Sequence, residues 1–163
     1  MNISSATIDA LLANRNYTPA DLFIMSQALA RLNGKRTELF LAQASLAASR
    51  DVAFFQRERA VLLADKSREL GELVDFISVK GFPLNRNRSG KIVALFPLDD
   101  VIWTERTARL FSGLNAVLRP SDNQAAFILA SGATITENAR SELRKLRWEI
   151  HNTNGGAEIR SSK

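Results

Sequence analysis

Apolar positions in the first third of the chain recur at helical spacing. Ile8, Leu11 and Leu12 stand at i, i+3 and i+4. They predict a short amphipathic helix capped by Ser4 or Ser5 and ended by Asn14-Arg15-Asn16. Thr18-Pro19-Ala20-Asp21 reads as a second helix start, with Thr18 as N-cap, Pro19 at the first helical position and Asp21 reaching back to the cap backbone. Leu22, Met25, Leu29 and Leu32 form its inward stripe, and Gly34 is the expected stop.

Residues 35–76 contain no Pro and a single Gly, Gly71. Leu39, Leu46 and Ala53 recur every seven residues, with Phe40, Ala47, Phe54 and Val61 beside them. Phe55, Leu62, Leu63, Leu70, Leu73 and Ile77 continue the face. The pattern predicts a long third helix over 35–77, or two helices broken near Ser49-Arg50-Asp51. An unbroken helix of roughly 42 residues spans about 63 Å, too long for a compact chain of this size. It either folds back into a hairpin or bundle, or pairs with another chain as a coiled coil.

The texture changes after residue 76. Phe76–Val79, Phe82–Leu84 and residues 91–96 are strand-like, and the intervening Asn85-Arg86-Asn87-Arg88-Ser89-Gly90 carries turn chemistry. A β-hairpin tipped by Arg86 and Arg88 is expected. Further on, residues 92–96 and 101–103 read as strands. A helix follows from Thr104 to Leu118 with Ala108, Phe111, Leu114 and Leu118 inward, then a loop at 119–123. The apolar run 125–130 reads as a buried central strand. Residues 131–135 form a loop, Thr136 caps a helix through Leu146, and 148–151 alternate as an edge strand. Strand–helix–strand–helix–strand with short loops predicts a parallel sheet. The expected fold is α+β: a helical region over 1–78, a small basic βαβαβ-like domain over 79–151 packed against it, and a disordered tail over 152–163.

Charge sharpens the division. Residues 1–79 hold nine Lys/Arg and nine Asp/Glu, whereas residues 80–163 hold thirteen against eight, so the whole +5 excess lies in the second half. The chain has no cysteine, which excludes thiolate catalysis, iron–sulfur ligation and cysteine zinc sites. The first residues carry neither a basic n-region nor an apolar h-region, and no apolar run approaches the ~18 residues of a membrane span. A cytoplasmic location without membrane contact is the expectation.

Three groups of residues invite chemistry. Arg86, Arg88 and Lys91 cluster within one turn, and Arg140, Arg144, Lys145 and Arg147 on and after the last helix. On one side of the molecule they would form a surface for DNA, RNA or an acidic protein, though Glu137 and Glu142 stand ready to neutralise the helix. The loop with Ser131, Gly132, Thr134 and Thr136 joins a buried strand to a helix N-terminus, a favourable place for phosphate. It matches no Gly-x-x-x-x-Gly-Lys-Ser/Thr or Gly-x-Gly-x-x-Gly pattern. Asp99 and Asp100, with Glu105 near in sequence, are the carboxylates a metal-dependent hydrolase would use, but adjacent residues on a strand point to opposite faces. His151, the only histidine, stands beside the tail and reads as a surface residue. Trp103 and Trp148 border strands and read as packing.

These features favour a non-enzymatic binding or assembly protein without a cofactor. Its helical half would self-associate or dock a partner chain through 35–77, and its basic half would contact a polyanion or an acidic partner. A nucleotide- or phosphate-binding regulator is the alternative, and a metal-dependent hydrolase the third.

Overall fold

The computed structural model describes residues 4–118, 127–131 and 134–152. Helix α1 (Ser5–Ala13) is capped by Ser4, whose side chain accepts from the Thr7 amide, and of its predicted stripe only Leu11 is buried. Helix α2 (Pro19–Leu32) has the full capping box between Thr18 and Asp21. It stops one residue earlier than Gly34 suggested: Asn33 takes the left-handed conformation and its amide donates to the Leu29 carbonyl at 3.3 Å.

The 35–77 segment is not one helix. It breaks as one of the two expectations held, into α3 (Thr37–Ser45) and α4 (Arg50–Lys66). The physical reason lies in the α1–α2 loop. Asn14 donates to the Ser45 and Ala47 carbonyls, Asn16 to the Ala47 carbonyl and the Tyr17 hydroxyl to the Ala44 carbonyl. These contacts satisfy the carbonyls a helix leaves open at its C-terminus, and Ser49 then caps α4 through the Val52 amide. Of the seven-residue stripe and its neighbours, Phe40, Ala47 and Ala53 are buried, whereas Leu46 is 72% and Phe54 47% exposed. The expected helical continuation through Leu73 and Ile77 is corrected. Gly71 and Glu72 both adopt positive φ, the chain reverses, and β1 (Leu73–Val79) begins.

β1 pairs antiparallel with β2 (Phe82–Asn87), and β2 pairs antiparallel with β3 (Ile92–Phe96). A two-residue strand β4 (Asp100–Val101) and helix α5 (Glu105–Leu118) follow. β5 (Phe127–Ser131) lies parallel to β3, and β7 (Trp148–Asn152) parallel to β5. Between them, β6 (Thr134–Ile135) pairs parallel with β4 and α6 (Glu137–Lys145) is capped by Thr136. The main sheet thus runs β1-β2-β3-β5-β7, a hairpin-bearing edge joined to the predicted βαβαβ unit. The loop predicted at 119–123, residues 125–126 of the predicted central strand, Gly132, and the tail apart from Asn152 lie outside the described residues.

Period-two alternation sends neighbouring strand residues to opposite faces, and each face has its own core. Val93 and Leu95 of β3 pack with Met25, Phe40, Leu63, Leu73 and Phe76 against α2, α3 and α4. Ile92 and Ala94 pack with Phe111, Leu114, Leu143 and Trp148 against α5 and α6. The sheet is therefore the shared middle layer, with the N-terminal helices on one side, as the sequence suggested. No helix among the described residues is long and apolar enough to cross a membrane.

Candidate functional site

β2 and β3 are hydrogen-bonded partners only at Asn85↔Val93 and Arg86↔Ile92. Continuing that register sets Pro83 opposite Leu95, where proline has no amide hydrogen to carry the ladder on. Arg59 of α4 fills the gap. Its Nε donates to the Leu95 carbonyl at 3.3 Å and its Nη2 to the Pro83 carbonyl. The guanidinium carbon lies 4.6 Å from the Phe82 ring centroid, 5.4 Å from that of Phe96 and 5.5 Å from that of Phe40. Arg59 is 0% exposed, its Nη1 has no hydrogen-bond partner, and no carboxylate among the described residues pairs with it. Burial lowers its pKa from the usual arginine value to about 9, because a desolvated cation is held by dipoles and ring faces alone.

Where the two strands stop pairing, a cavity of about 760 Å³ opens at the carboxyl end of β3, the position at which open α/β sheets bind ligands. Its floor is Phe82, Leu84 and Phe96 of the sheet, and its roof Leu110, Phe111 and Leu114 of α5. Phe82 and Phe96 are tilted against one another with centroids 5.7 Å apart. Phe55, one turn before Arg59 on α4, reaches the same space, as do Leu98, Val101 and Ile102 around β4. Leu110 and Ile102 are 54% and 56% exposed, so an apolar surface leads from solvent into the chamber. The volume lies within the roughly 300–1,000 Å³ of small-ligand sites.

Polar groups stand at the rim. Thr107 donates its hydroxyl hydrogen to the Ile102 carbonyl at 2.9 Å, and Arg109 pairs with Glu105 at 3.1 Å in an exposed i, i+4 bridge. Asp100 is exposed on β4. Lys80 differs from Arg109: no ion pair holds it among the described residues. It forms the β1–β2 turn with Gly81, both at positive φ, as a tight two-residue hairpin requires. The turn aims its ammonium at α5, where it lies 3.9 Å from the point a Cβ on Gly113 would occupy.

The residues singled out from the sequence are differently disposed. Arg86 follows Phe82 and Leu84 in alternation and faces the α5–α6 side, whereas Lys91 pairs with Glu149 of β7 at 2.8 Å. Arg88 pairs with Glu72, Lys145 with Glu142, and Arg140 with Glu137 at 3.8 Å. Arg86, Arg144 and Arg147 have no ion pair among the described residues. In the predicted phosphate loop, Ser131 closes β5 and Thr134 belongs to β6. The Thr134 amide donates to the Asp99 carbonyl and the Thr136 amide to the Val101 carbonyl, while the Thr136 side chain accepts from the Ala139 amide. Those groups serve the β4–β6 pair and the α6 cap. Asp99 and Asp100 are exposed, and no metal-sized group of three His, Asp or Glu residues occurs among the described residues. His151, on β7, lies 3.8 Å from Glu149.

No family model matches the sequence, and no curated protein or solved structure matches the chain. The reading therefore rests on its own residues. Sequence reasoning passed over Arg59, Lys80 and the Phe82–Phe96 pair. The available signal was Arg59 itself: it stands three residues after Gln56 and four before Leu63, on the buried face of α4, a charge where the helical period demands an apolar side chain.

Proposed function

We propose that this chain is a non-enzymatic binding protein whose principal site is the apolar cavity between α5 and the β1–β2–β3 edge. The observation that carries this reading is a chamber of about 760 Å³ walled by aromatic and aliphatic side chains. Its polar groups stand at the rim, and no nucleophile–base pair faces it among the described residues. A concave, mostly apolar recess of this size with a few polar groups around it is the usual form of a small-ligand site. The test is titration with a neutral solvatochromic dye, followed by thermal unfolding with saturating apolar ligands. Saturable dye binding, lost in Leu110→Trp, is expected. A ligand at 100 times its Kd adds about 2.7 kcal/mol of stability. Absence of both overturns the reading.

A second reading, contact with a polyanion through the basic half, is supported by Arg86, Arg144 and Arg147, which have no ion pair among the described residues. Nucleic-acid affinity at low salt that falls with ionic strength and drops in Arg144→Ala with Arg147→Ala is its expected signature.

A further inference from the structure

We infer that the cavity takes a single-tailed amphiphile with one negative charge, its tail between α5 and the sheet and its carboxylate at the Lys80 ammonium. The inference rests on the cavity reading and adds the ligand class. Two independent observations carry it. The Lys80 ammonium is held at the rim by the Lys80-Gly81 turn and is free of carboxylates among the described residues, beside the Gly113 position of α5. With no side chain at Gly113, the ammonium stands beside bare helix surface. Behind the chamber floor, the Arg59 guanidinium lies against Phe82 and Phe96 with no carboxylate paired to it among the described residues. A positive charge in a desolvated wall raises the potential throughout the chamber and favours a negative guest over a neutral or cationic one.

The shape sets the rest of the class. Among the described residues that line the chamber, Lys80 is the cation without an ion pair, which fits one tail and one monoanionic head. Asp100 also lines the cavity, and its carboxylate repels a bound anion.

The experiment is calorimetric titration of the full chain with dodecanoate, dodecan-1-ol and dodecyltrimethylammonium, the two ionic amphiphiles below their micellar concentrations and the alcohol below its aqueous solubility. Dodecanoate is expected to bind tightest and the ammonium weakest. Lys80→Met lowers the affinity for dodecanoate about tenfold, the size of one charge-assisted contact, and leaves dodecan-1-ol unchanged. Asp100→Asn raises the affinity for dodecanoate. Leu110→Trp, at a half-exposed position that tolerates bulk, weakens both the acid and the alcohol. Equal binding of acid and alcohol, or a Lys80→Met variant that binds dodecanoate like the parent, overturns the head-group assignment and leaves the cavity reading standing. No binding of any of the three overturns both.

Discussion

Pro83 and Leu95 face one another in the continued β2–β3 register, and their two carbonyl oxygens are held by one donor group, the guanidinium of Arg59. The arginine does the work of the ladder that proline interrupts. It also fixes α4 to the sheet, since Ala60 and Leu63 beside it are fully buried. The same interruption lets the ends of β2 and β3 part, and the cavity opens there. One residue, Pro83, thus explains both the buried cation and the chamber.

Arg59 is a costly solution, and the cost depends on pH. Its folded pKa is depressed to about 9 by burial, below that of the exposed side chain. Between about pH 9 and the ordinary arginine range the unfolded chain binds more protons, so this group adds stability as pH rises and withholds it below. Arg59→Met keeps much of the volume and removes the charge, but leaves two carbonyls without a donor. Arg59→Ala adds an empty space and costs about 3–5 kcal/mol. We expect Arg59→Met to fall between the parent and Arg59→Ala in urea unfolding at pH 7. The gap between parent and Arg59→Met widens in the parent's favour from pH 9 to pH 10.5. A gap that narrows over that range contradicts the sign.

Asp21 presents the opposite case. Its carboxylate accepts from the Thr18 amide and hydroxyl at 2.8 and 2.6 Å and from Arg50. The Arg50 hydrogen bond, followed by those from Thr18, holds its carboxyl far below the usual carboxylate range although burial opposes this. A carboxylate of depressed pKa contributes its stability above the unfolded value of about 3.9, and the contribution fades as pH falls below that. Asp21→Asn should cost about 1.5–3 kcal/mol at pH 7, the worth of hydrogen bonds to a charged group. Between pH 5 and pH 2.5 the variant should lose less stability than the parent, so the two curves converge in acid.

How far the sequence exposed this molecule depends on the range of the interaction that decided each element. The α2 start was legible because Thr18, Pro19 and Asp21 act within one turn. The βαβαβ order was legible because each strand and helix carries its own period. The stop of α3 was not, because Asn14, Asn16 and Tyr17 deliver it from about 30 residues away. The chain reversal at Gly71-Glu72 was hidden by an apolar pattern in which Leu70 and Leu73 fit a helix as well as a strand. The local partners of the basic helix, Glu137 and Glu142, were legible one turn away, but Glu149 for Lys91 and Glu72 for Arg88 come from distant parts of the chain. The cavity has no linear signature, since α5, β2 and β3 meet only in space.

The two hairpin-side glycines offer a controlled comparison. Gly71 and Gly90 have nearly the same φ, +84° and +86°, so alanine meets similar backbone strain at each, about 1–2 kcal/mol. Only Gly71 is crowded: a Cβ there would come within 2.8 Å of the Asn87 side-chain nitrogen, which donates to the Leu70 carbonyl at 2.9 Å. Gly90 has nothing within 4 Å. We expect Gly71→Ala to cost about 2–4 kcal/mol and Gly90→Ala no more than about 2 kcal/mol. Adding Asn87→Ala to Gly71→Ala should cost less than the sum of the two single changes, because the second removes the clash. Equal losses at Gly71 and Gly90 would mean that the Asn87 contact is unimportant.

Two tryptophans report on the cavity from different depths. Trp103 stacks on Phe111 with centroids 6.3 Å apart and planes 19° from parallel, and Phe111 meets Trp148 edge-on at 5.3 Å. Phe111 lines the chamber, with Trp103 stacked on its ring and Trp148 meeting it edge-on. Their exposure separates them: Trp148 is 2% exposed, whereas Trp103 is half-buried. In the ligand-free protein, acrylamide should quench the Trp148→Phe variant, which retains Trp103, far more than the Trp103→Phe variant, which retains Trp148. On saturation with dodecanoate the Trp103 emission should move to shorter wavelength and its quenching constant fall, while Trp148 changes little. A response confined to Trp148 would place the guest on the α6 side of Phe111, outside the chamber beneath α5.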